Sequence, residues 1–281
     1  RKLNRLLSSK KSINRYKEFN KIDNFESMLK KSIDNILDNF DKIGLHEMDD
    51  VKLMDRVDTK FIFSSEKFAA LLPELNQHYK ALSIGGKTIS AYESLYYDSE
   101  DLLFFNEHQR KKLNRMKVRY RKYLDSDIAF LEVKHKFKGR TNKMRIPSDE
   151  LHMDMPKDHL DFVNESVSFD DFDGLVATLT NNYRRITLVG KHINERLMID
   201  LDLKFNWNGK KSNMDFLVIA ELKQSKVNRT SPFFQLMKNH KIRPFRLSKY
   251  CIGIIKLDPS VKHNRFKKKL LQIKKIKPNA A

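Results

Sequence analysis

The feature that most limits how this chain can fold is a charge pattern with a period of two. Lys117, Arg119 and Arg121 alternate with Met116, Val118 and Tyr120. Glu132, Lys134 and Lys136 alternate with Leu131 and Val133, and Lys143 and Arg145 stand two apart. Glu221 and Lys223 lie opposite Ala220 and Leu222, while Arg56, Asp58 and Lys60 lie opposite Phe61 and Phe63. On a β-strand, residues two apart share a face. Strands of this kind side by side cannot bury the charged face in an apolar core, so it meets solvent or encloses an anion. Solvation is the ordinary outcome for any one antiparallel strand. The collective pattern favours enclosure, because Arg prevails on several faces and acids occur singly among the cations. Arg recognises phosphate oxygens bidentately. Glu132 and Glu221, each two residues before a Lys, suit a carboxylate holding Mg²⁺ or Mn²⁺ beside bound phosphates.

Strands are expected at about 115–124, 128–137, 140–146, 183–190, 194–205, 216–224 and 250–257, with earlier ones in VDTKFIF and AYESLYYDS. Apolar residues at helical spacing (Phe25, Met28, Leu29, Ile33, Ile36, Leu37, Phe40) predict a helix over 23–43. Further helical segments are read at 65–79, broken near Pro73, and at 148–155, 170–180 and 231–240. The expected class is α+β: a closed antiparallel β-barrel of about eight strands with flanking helices. Such a barrel has a narrow interior. Lined with cations, it suits an extended phosphate chain.

The net charge of +20 over 281 residues is unevenly spread. Residues 1–21 carry eight Lys or Arg and one acid, and 261–281 carry eight and none, which leaves about +5 for the rest. The expected organisation is a basic flexible arm at 1–22, one folded body at 23–260 and a Lys-rich tail at 261–281. Basic tails attract nucleic acid, acidic lipid or a polyanion without discrimination. No apolar run reaches the roughly 18–20 residues of a membrane span, and the N-terminal stretch has no apolar core of a signal peptide. A cytoplasmic location is therefore expected, with the tails offering peripheral attachment to an acidic membrane surface or a partner. The single cysteine, Cys251, excludes an intramolecular disulfide and a cysteine-built zinc site, and is expected to be buried. His108, His135 and His192 lack metal-ligand spacing, Asp98 reads as a turn residue, and Trp207 sits in a hairpin signature, NWNGK. There is no P-loop, dinucleotide-binding glycine motif or Ser-His-Asp arrangement.

From about Leu45 to Leu257 the chain resembles the catalytic domain of the VTC-type polyphosphate polymerases, within the triphosphate tunnel metalloenzyme, or CYTH-like, fold. LHEMDDVKLMDRVDTKFIF, YYDSED, KVRYRKY, LEVKHKFKGRTNKMRI, YRRITL, ERLMIDLDL, VIAELKQ and RLSKY carry the resemblance, in family order. It implies phosphate-binding tunnel roles for Lys60, Arg119, Arg121, Lys134, Lys143, Arg185 and Arg196. Of these, Lys60 and the four arginines form the catalytic set. Lys117, Arg145, Tyr183, Arg246, Ser248 and Lys249 are assigned to substrate binding, and Glu221 to the metal, Mn²⁺ or Mg²⁺. Hydrolytic and cyclase members of the wider fold open with ExExK; here Arg56 and Asp58 replace the two glutamates, which favours polymerase over hydrolase. Segments resembling an SPX-type sensor or membrane spans are not found, so regulation and translocation are not implied.

The expected reaction is transfer of the γ-phosphate of ATP onto inorganic polyphosphate or pyrophosphate, with ADP leaving. Phosphoryl transfer needs mainly positioning and charge neutralisation. No side-chain nucleophile is expected, and no nucleic acid is required. The rival readings are an inorganic triphosphatase or a non-catalytic polyphosphate-binding subunit of the same fold, and a basic nucleic-acid-binding protein. Asp200 and Asp202 are read on one strand face with Arg196, pairing with cations rather than metal.

Overall fold

The computed structural model describes residues 27–51, 56–138, 140–166 and 174–277. The expected arm at 1–22 lies outside them. The centre of the fold is one large sheet of strands β1 (Lys42–Ile43), β2 (Val57–Ser64), β3 (Tyr79–Leu82), β4 (Ile89–Ser99), β5 (Arg115–Tyr123), β6 (Ile128–Phe137), β7 (Arg140–Ser148), β8 (Leu175–Gly190), β9 (Glu195–Trp207), β10 (Lys210–Met214) and β11 (Leu217–Gln224). The main path runs β2-β11-β9-β8-β4-β5-β6-β7, all antiparallel; β3 pairs β8, β10 pairs β9, and β1 pairs β3 in parallel. The β9–β10 hairpin turns at Asn208 and Gly209, both with positive φ (49° and 72°), the conformation a two-residue hairpin demands. Trp207 beside it is half-buried against the core.

Helices are α1 (27–38), α2 (Ser65–Leu75), α3 (Leu103–Arg110), α4 (Lys157–Glu165), α5 (Pro232–Asn239), α6 (Lys249–Leu257) and α7 (Lys267–Ile276). Period-two alternation decides where they pack. The uncharged faces of β2, β8, β9 and β11 (Phe61, Phe63, Ile186, Leu188, Leu197, Ile199, Val218, Ala220) are buried under α1, α2 and α5. Those of β4–β6 (Leu95, Tyr97, Val118, Tyr120, Leu131, Val133) are covered by Val163 of α4 and Phe104 of α3. Helices thus clothe the outside of the sheet, and the charged faces are left to the inside.

The inside is not uniform along its length. Beyond the charged residues it turns apolar, and there Ile62, Leu179, Leu203, Phe205, Leu217 and Ile219 pack against α6. A β-bulge makes this switch possible in β9. Arg184 pairs with Leu201 but Asn182 with Lys204, so β9 holds one extra residue, and Asp202 there has φ 53°. Met198 and Asp200 point inward before the bulge; Leu203 and Phe205 do so after it. Asp202 therefore does not share a side with Asp200. It accepts a bond from Arg184, whereas Asp200 bonds Arg185.

Several expected elements differ. Residues 250–257 form helix α6, not a strand. Every one of them except Lys256 is buried, so no amphipathic period marks the helix, and a short apolar run reads equally as either. Gly253 admits the close approach: a Cβ there would lie 2.5 Å from Leu179 Cδ2 and 2.7 Å from Phe205 Cδ1. Of the expected helix at 170–180, residues 167–173 lie outside the described set and Leu175 onward is β8. The helix expected at 148–155 lies instead at Lys157–Glu165. Pro73 does not break α2, which runs two residues further.

The sheet also does not close. β2 and β7 are its two ends and do not pair among the described residues. β7 has no buried residue and carries Arg140, Thr141, Asn142 and Lys143 in sequence and Pro147, features that discourage edge pairing. The free edge of β2 is engaged elsewhere: Phe245 N–H donates to the Lys60 carbonyl at 2.6 Å. The segment leading into α6 thus lies along the edge where the closing strand of a barrel would be.

Candidate active site

Although open by hydrogen bonding, the sheet curls until strands from both ends face one cavity of roughly 190 Å³. Ten cations line it: Arg56, Lys60, Lys117, Arg119, Arg121, Lys134, Lys143, Arg185, Lys223 and Lys249. Four carboxylates accompany them, Asp58, Glu132, Asp200 and Glu221, with Tyr96, Tyr183, Met198, Ile219, Leu247 and Ser248. The sheet register builds the contacts, since Arg119 faces Glu132, Arg185 faces Asp200, Lys60 faces Glu221, and Asp58 faces Lys223 directly across strands.

The carboxylates do not play one part. Glu132 is 2% exposed and is bound by Arg119 at 2.7 and 2.9 Å and by Lys143 at 2.6 Å, with Arg121 at 3.6 Å. Burial alone would raise its pKa, but Arg119 and Lys143 outweigh that and hold it at about 2. Asp200 is likewise saturated, by Arg185 at 2.5 and 3.0 Å and Lys249 at 2.6 Å. Against the cost of burial, those cations keep its pKa at about 2. Both acids orient cations that line the cavity.

Glu221 is held differently. Lys60 and Lys223 approach it only to 3.5 Å each. Asp58 lines the cavity beside it, and Lys223 stands between the two carboxyl groups, 3.5 Å from each. Despite burial, Lys60 and Lys223 keep the Glu221 carboxyl well below the usual range. Two carboxyl groups this close repel unless a proton or a cation lies between them. The pair fits a hard divalent ion, which takes one or two carboxylates and fills its sphere with phosphate oxygens and water. Among the described residues no cluster of three or more such ligands exists, so protein alone would not saturate the ion. Asp58 was not singled out as a ligand from sequence, although its place on the Lys60 face was legible.

Other groups are poised for an anion. The Nε of Arg121 and the hydroxyl of Tyr183 are buried without hydrogen-bond partners. Lys249 Nζ sits 3.3 Å from the centroid of the Tyr183 ring. Lys117 Nζ donates to Ser248 Oγ at 2.9 Å, and the same oxygen caps α6 by accepting from Cys251 N–H. The N-terminal end of α6, which favours negative charge, thus opens on the cavity. Burial pushes the Lys117 amine down to about 7, helped by the charges of Lys60, Lys134 and Arg119.

Of the residues expected from sequence, the cavity brings together Lys60, Lys117, Arg119, Arg121, Lys134, Lys143, Tyr183, Arg185, Glu221, Ser248 and Lys249. Three fall outside its lining. Arg145, across from Glu132, stacks over Phe130 at 4.5 Å. Arg196 faces Lys223 across the strands and donates to the Met48 carbonyl at 3.5 Å. Arg246 is exposed. Tyr96, which donates no charge, and Lys223 were missed; parity along their strands was the available signal. Asp98 is fully buried and serves as more than a turn: it accepts from Phe104 and Phe105 N–H at the start of α3 and from Tyr250 of α6. Cys251 is buried, as expected.

The model of the VTC domain family matches residues 55–258, nearly the whole of this sheet with α2 to α6. The chain belongs to the VTC domain family. No curated protein matches it. Among solved structures, a protein of Hippeastrum described as a candidate adenylyl cyclase with a dominant triphosphatase activity aligns at 13% identity and TM-score 0.47, covering 75% of this chain and 100% of its own. A candidate adenylate cyclase of Bacillus halodurans aligns at 13% and 0.45, covering 69% and 94%. Values this low assign no activity. The VTC domain of this chain is thus a curled antiparallel sheet around a cationic cavity. None of its described helices is long and apolar enough to cross a membrane.

Proposed function

We propose that this VTC domain is a polyphosphate polymerase: it binds the triphosphate of ATP in the cavity and transfers the γ-phosphate to inorganic polyphosphate, releasing ADP. The observation that carries this reading is the cavity wall, where ten cations face four carboxylates and two of those carboxylates are saturated by arginine and lysine. Such a wall suits a highly charged, flexible chain without base or sugar contacts. Family membership supports the same substrate class.

The chain's own residues supply positioning and charge. Arg119 and Arg185, fixed by Glu132 and Asp200, present guanidinium edges to the reacting phosphates. Arg121 and Tyr183 offer the donors that lack partners, and Lys60 and Lys249 complete the clamp. The attacking group is a terminal phosphate oxygen of the acceptor chain; the new P–O bond forms as the β–γ bridge to ADP breaks. No side chain needs to become a nucleophile, because in phosphoryl transfer positioning and charge neutralisation carry the rate. Glu221 with Asp58 would hold Mn²⁺ or Mg²⁺, which neutralises charge on phosphate oxygens. Arg145, Arg196 and Arg246 stand outside the cavity lining, so their part is in approach rather than at the reacting atoms.

One observation favours a second reading. Asp58 keeps a carboxylate beside Glu221 where Arg56 has replaced the other acid, so an inorganic triphosphatase of the same fold is the alternative. Incubation with ATP and Mn²⁺ or Mg²⁺, with products resolved on a gel, separates them. Polymer with stoichiometric ADP supports the polymerase; free phosphate without polymer overturns it in favour of hydrolysis.

A further inference from the structure

Beyond the cavity lies a second set of cations that the catalytic reading leaves unused. The β5–β6 register places Arg119 opposite Glu132, then Lys117 opposite Lys134, then Arg115 opposite Lys136. Each step along the strands is roughly 6.8 Å. The first of these rungs is neutralised, and the next two set like charges directly opposite one another, an arrangement that is destabilising by itself. Among the described residues, neither Arg115 nor Lys136 forms a salt bridge; Arg115 gives one N–H to the Lys112 carbonyl at 2.7 Å.

Helix α7 extends this strip, and it lies outside the part of the chain that the VTC family model matches. Arg265 bonds the Arg110 carbonyl at the end of α3, and Phe266 stacks on Phe105 with ring centroids 6.3 Å apart. Phe266 also lies 6.4 Å from the ring of His108, and Lys269 stands 5.4 Å from the Phe266 ring. His108 therefore sits where β5, β6 and α7 converge. Burial first, and then the charges of Lys117, Arg115, Lys269 and Lys136, push its imidazole down to about 2. Burial first, and then the charges of Lys111, Arg246 and Arg115, also push the Lys269 amine down, while Glu107, the acid beside His108 on α3, is taken by Lys112 at 3.4 Å.

We propose that Arg115, Lys136 and Lys269 form a track, continuous with the cavity through Lys117, that holds the part of a linear inorganic polyphosphate extending beyond the catalytic chamber. The assignment rests on the cavity binding phosphate chains, as proposed above. Polyphosphate is the polyanion chosen because the track joins the chamber at a shared lysine, so one unbranched chain can occupy both.

The test compares tripolyphosphate, which the chamber can hold alone, with long-chain polyphosphate, using calorimetry on the full chain. The wild type should bind the long chain more tightly, and Arg115→Glu/Lys136→Glu/Lys269→Glu should lose about tenfold in long-chain affinity while tripolyphosphate changes by less than about twofold. Lys269→Glu alone, at a half-buried position of α7, should show a smaller loss in the same direction and guards against a folding defect in the triple variant. Lys30→Glu/Lys31→Glu/Lys238→Glu, equal in charge and placed on α1 and α5, should leave the preference intact. Equal losses for both phosphates, an unchanged long-chain affinity, or a parallel loss for a DNA oligonucleotide of matched charge would each overturn the track. If the wild type binds tripolyphosphate but gains nothing from a longer chain, the track falls and the chamber stands. If it binds the long chain through these residues but not tripolyphosphate, the chamber reading falls, and with it the continuity that defines the track.

Discussion

Glu132 and Glu221 face the same cavity from strands on its two sides, and each stands two residues before a lysine, yet the structure uses them in opposite ways. Glu132 is fixed by short bonds to Arg119 and Lys143, whereas Glu221 is approached by its lysines only to 3.5 Å and lies beside a second carboxyl group. A carboxylate whose oxygens are all taken is part of the scaffold. One surrounded by charge but loosely bonded is available to a ligand. Sequence spacing alone cannot separate the two, because the difference lies in how many cations the neighbouring strands deliver.

The largest effect should come from exchanging those roles. Glu221→Ala should cut polymer synthesis by at least about a hundredfold while costing less stability than the loss of Glu132. Glu132→Ala should instead cost about 3–5 kcal/mol of stability, since it strands buried cations. Thermal melts and product gels on both variants check this, and a destabilised but active Glu221→Ala would erase the contrast. Acid should expose the same division. Glu132 and Asp200 have folded-state pKa values near 2, so the stability they contribute is intact above about pH 4.5 and is lost as pH falls toward 2. In a pH series of melts, Glu132→Gln should flatten that decline.

A smaller effect attaches to Lys117. Its amine loses charge as pH rises through about 7, so tripolyphosphate affinity should fall about tenfold across that range, and Lys117→Arg should remove the dependence. For folding the sign is reversed: the cost of burying this amine is present below pH 7 and is relieved between about 7 and its ordinary 10.5. Calorimetry at matched ionic strength reads the first, and melts the second. The smallest effect belongs to Tyr183→Phe. Deleting an unpartnered buried hydroxyl should leave the unliganded protein as stable or slightly more so, while weakening phosphate binding about fivefold. Loss of stability without loss of affinity would make Tyr183 merely a packing residue.

The charged face of each strand was legible because parity survives folding wherever the ladder is regular. Lys117, Arg119 and Arg121 lie in the cavity for that reason. Legibility failed where geometry departs from a simple rule. Asp202 was read with Asp200 because nothing in ERLMIDLDL announces an extra residue. YCIGIIKL was read as a strand because a fully buried helix shows no polar side, although Ser248 ahead of it is a helix-capping residue. Closure of the sheet was expected from the count of strands; the polar edge of β7 and the bond from Phe245 to Lys60 are tertiary facts. Arg145 and Arg196 have the right chemistry, and only the curl of the sheet decides that they stand off the lining; Arg246 lies exposed in the segment before α6.

The extra residue in β9 has a consequence for how the molecule keeps water and hydrocarbon apart. Upstream of Asp202 the strand offers even-numbered side chains to the interior, and downstream it offers odd-numbered ones. A single continuous strand can therefore wet one compartment and dry the next, with the frontier pinned to one position rather than smeared over a gradient. Drawing Asp202 into a regular ladder, with no residue bulged out, would reverse every downstream side chain at once, exchanging the inward Leu203 and Phe205 for Lys204 and Asn206 against the underside of α6.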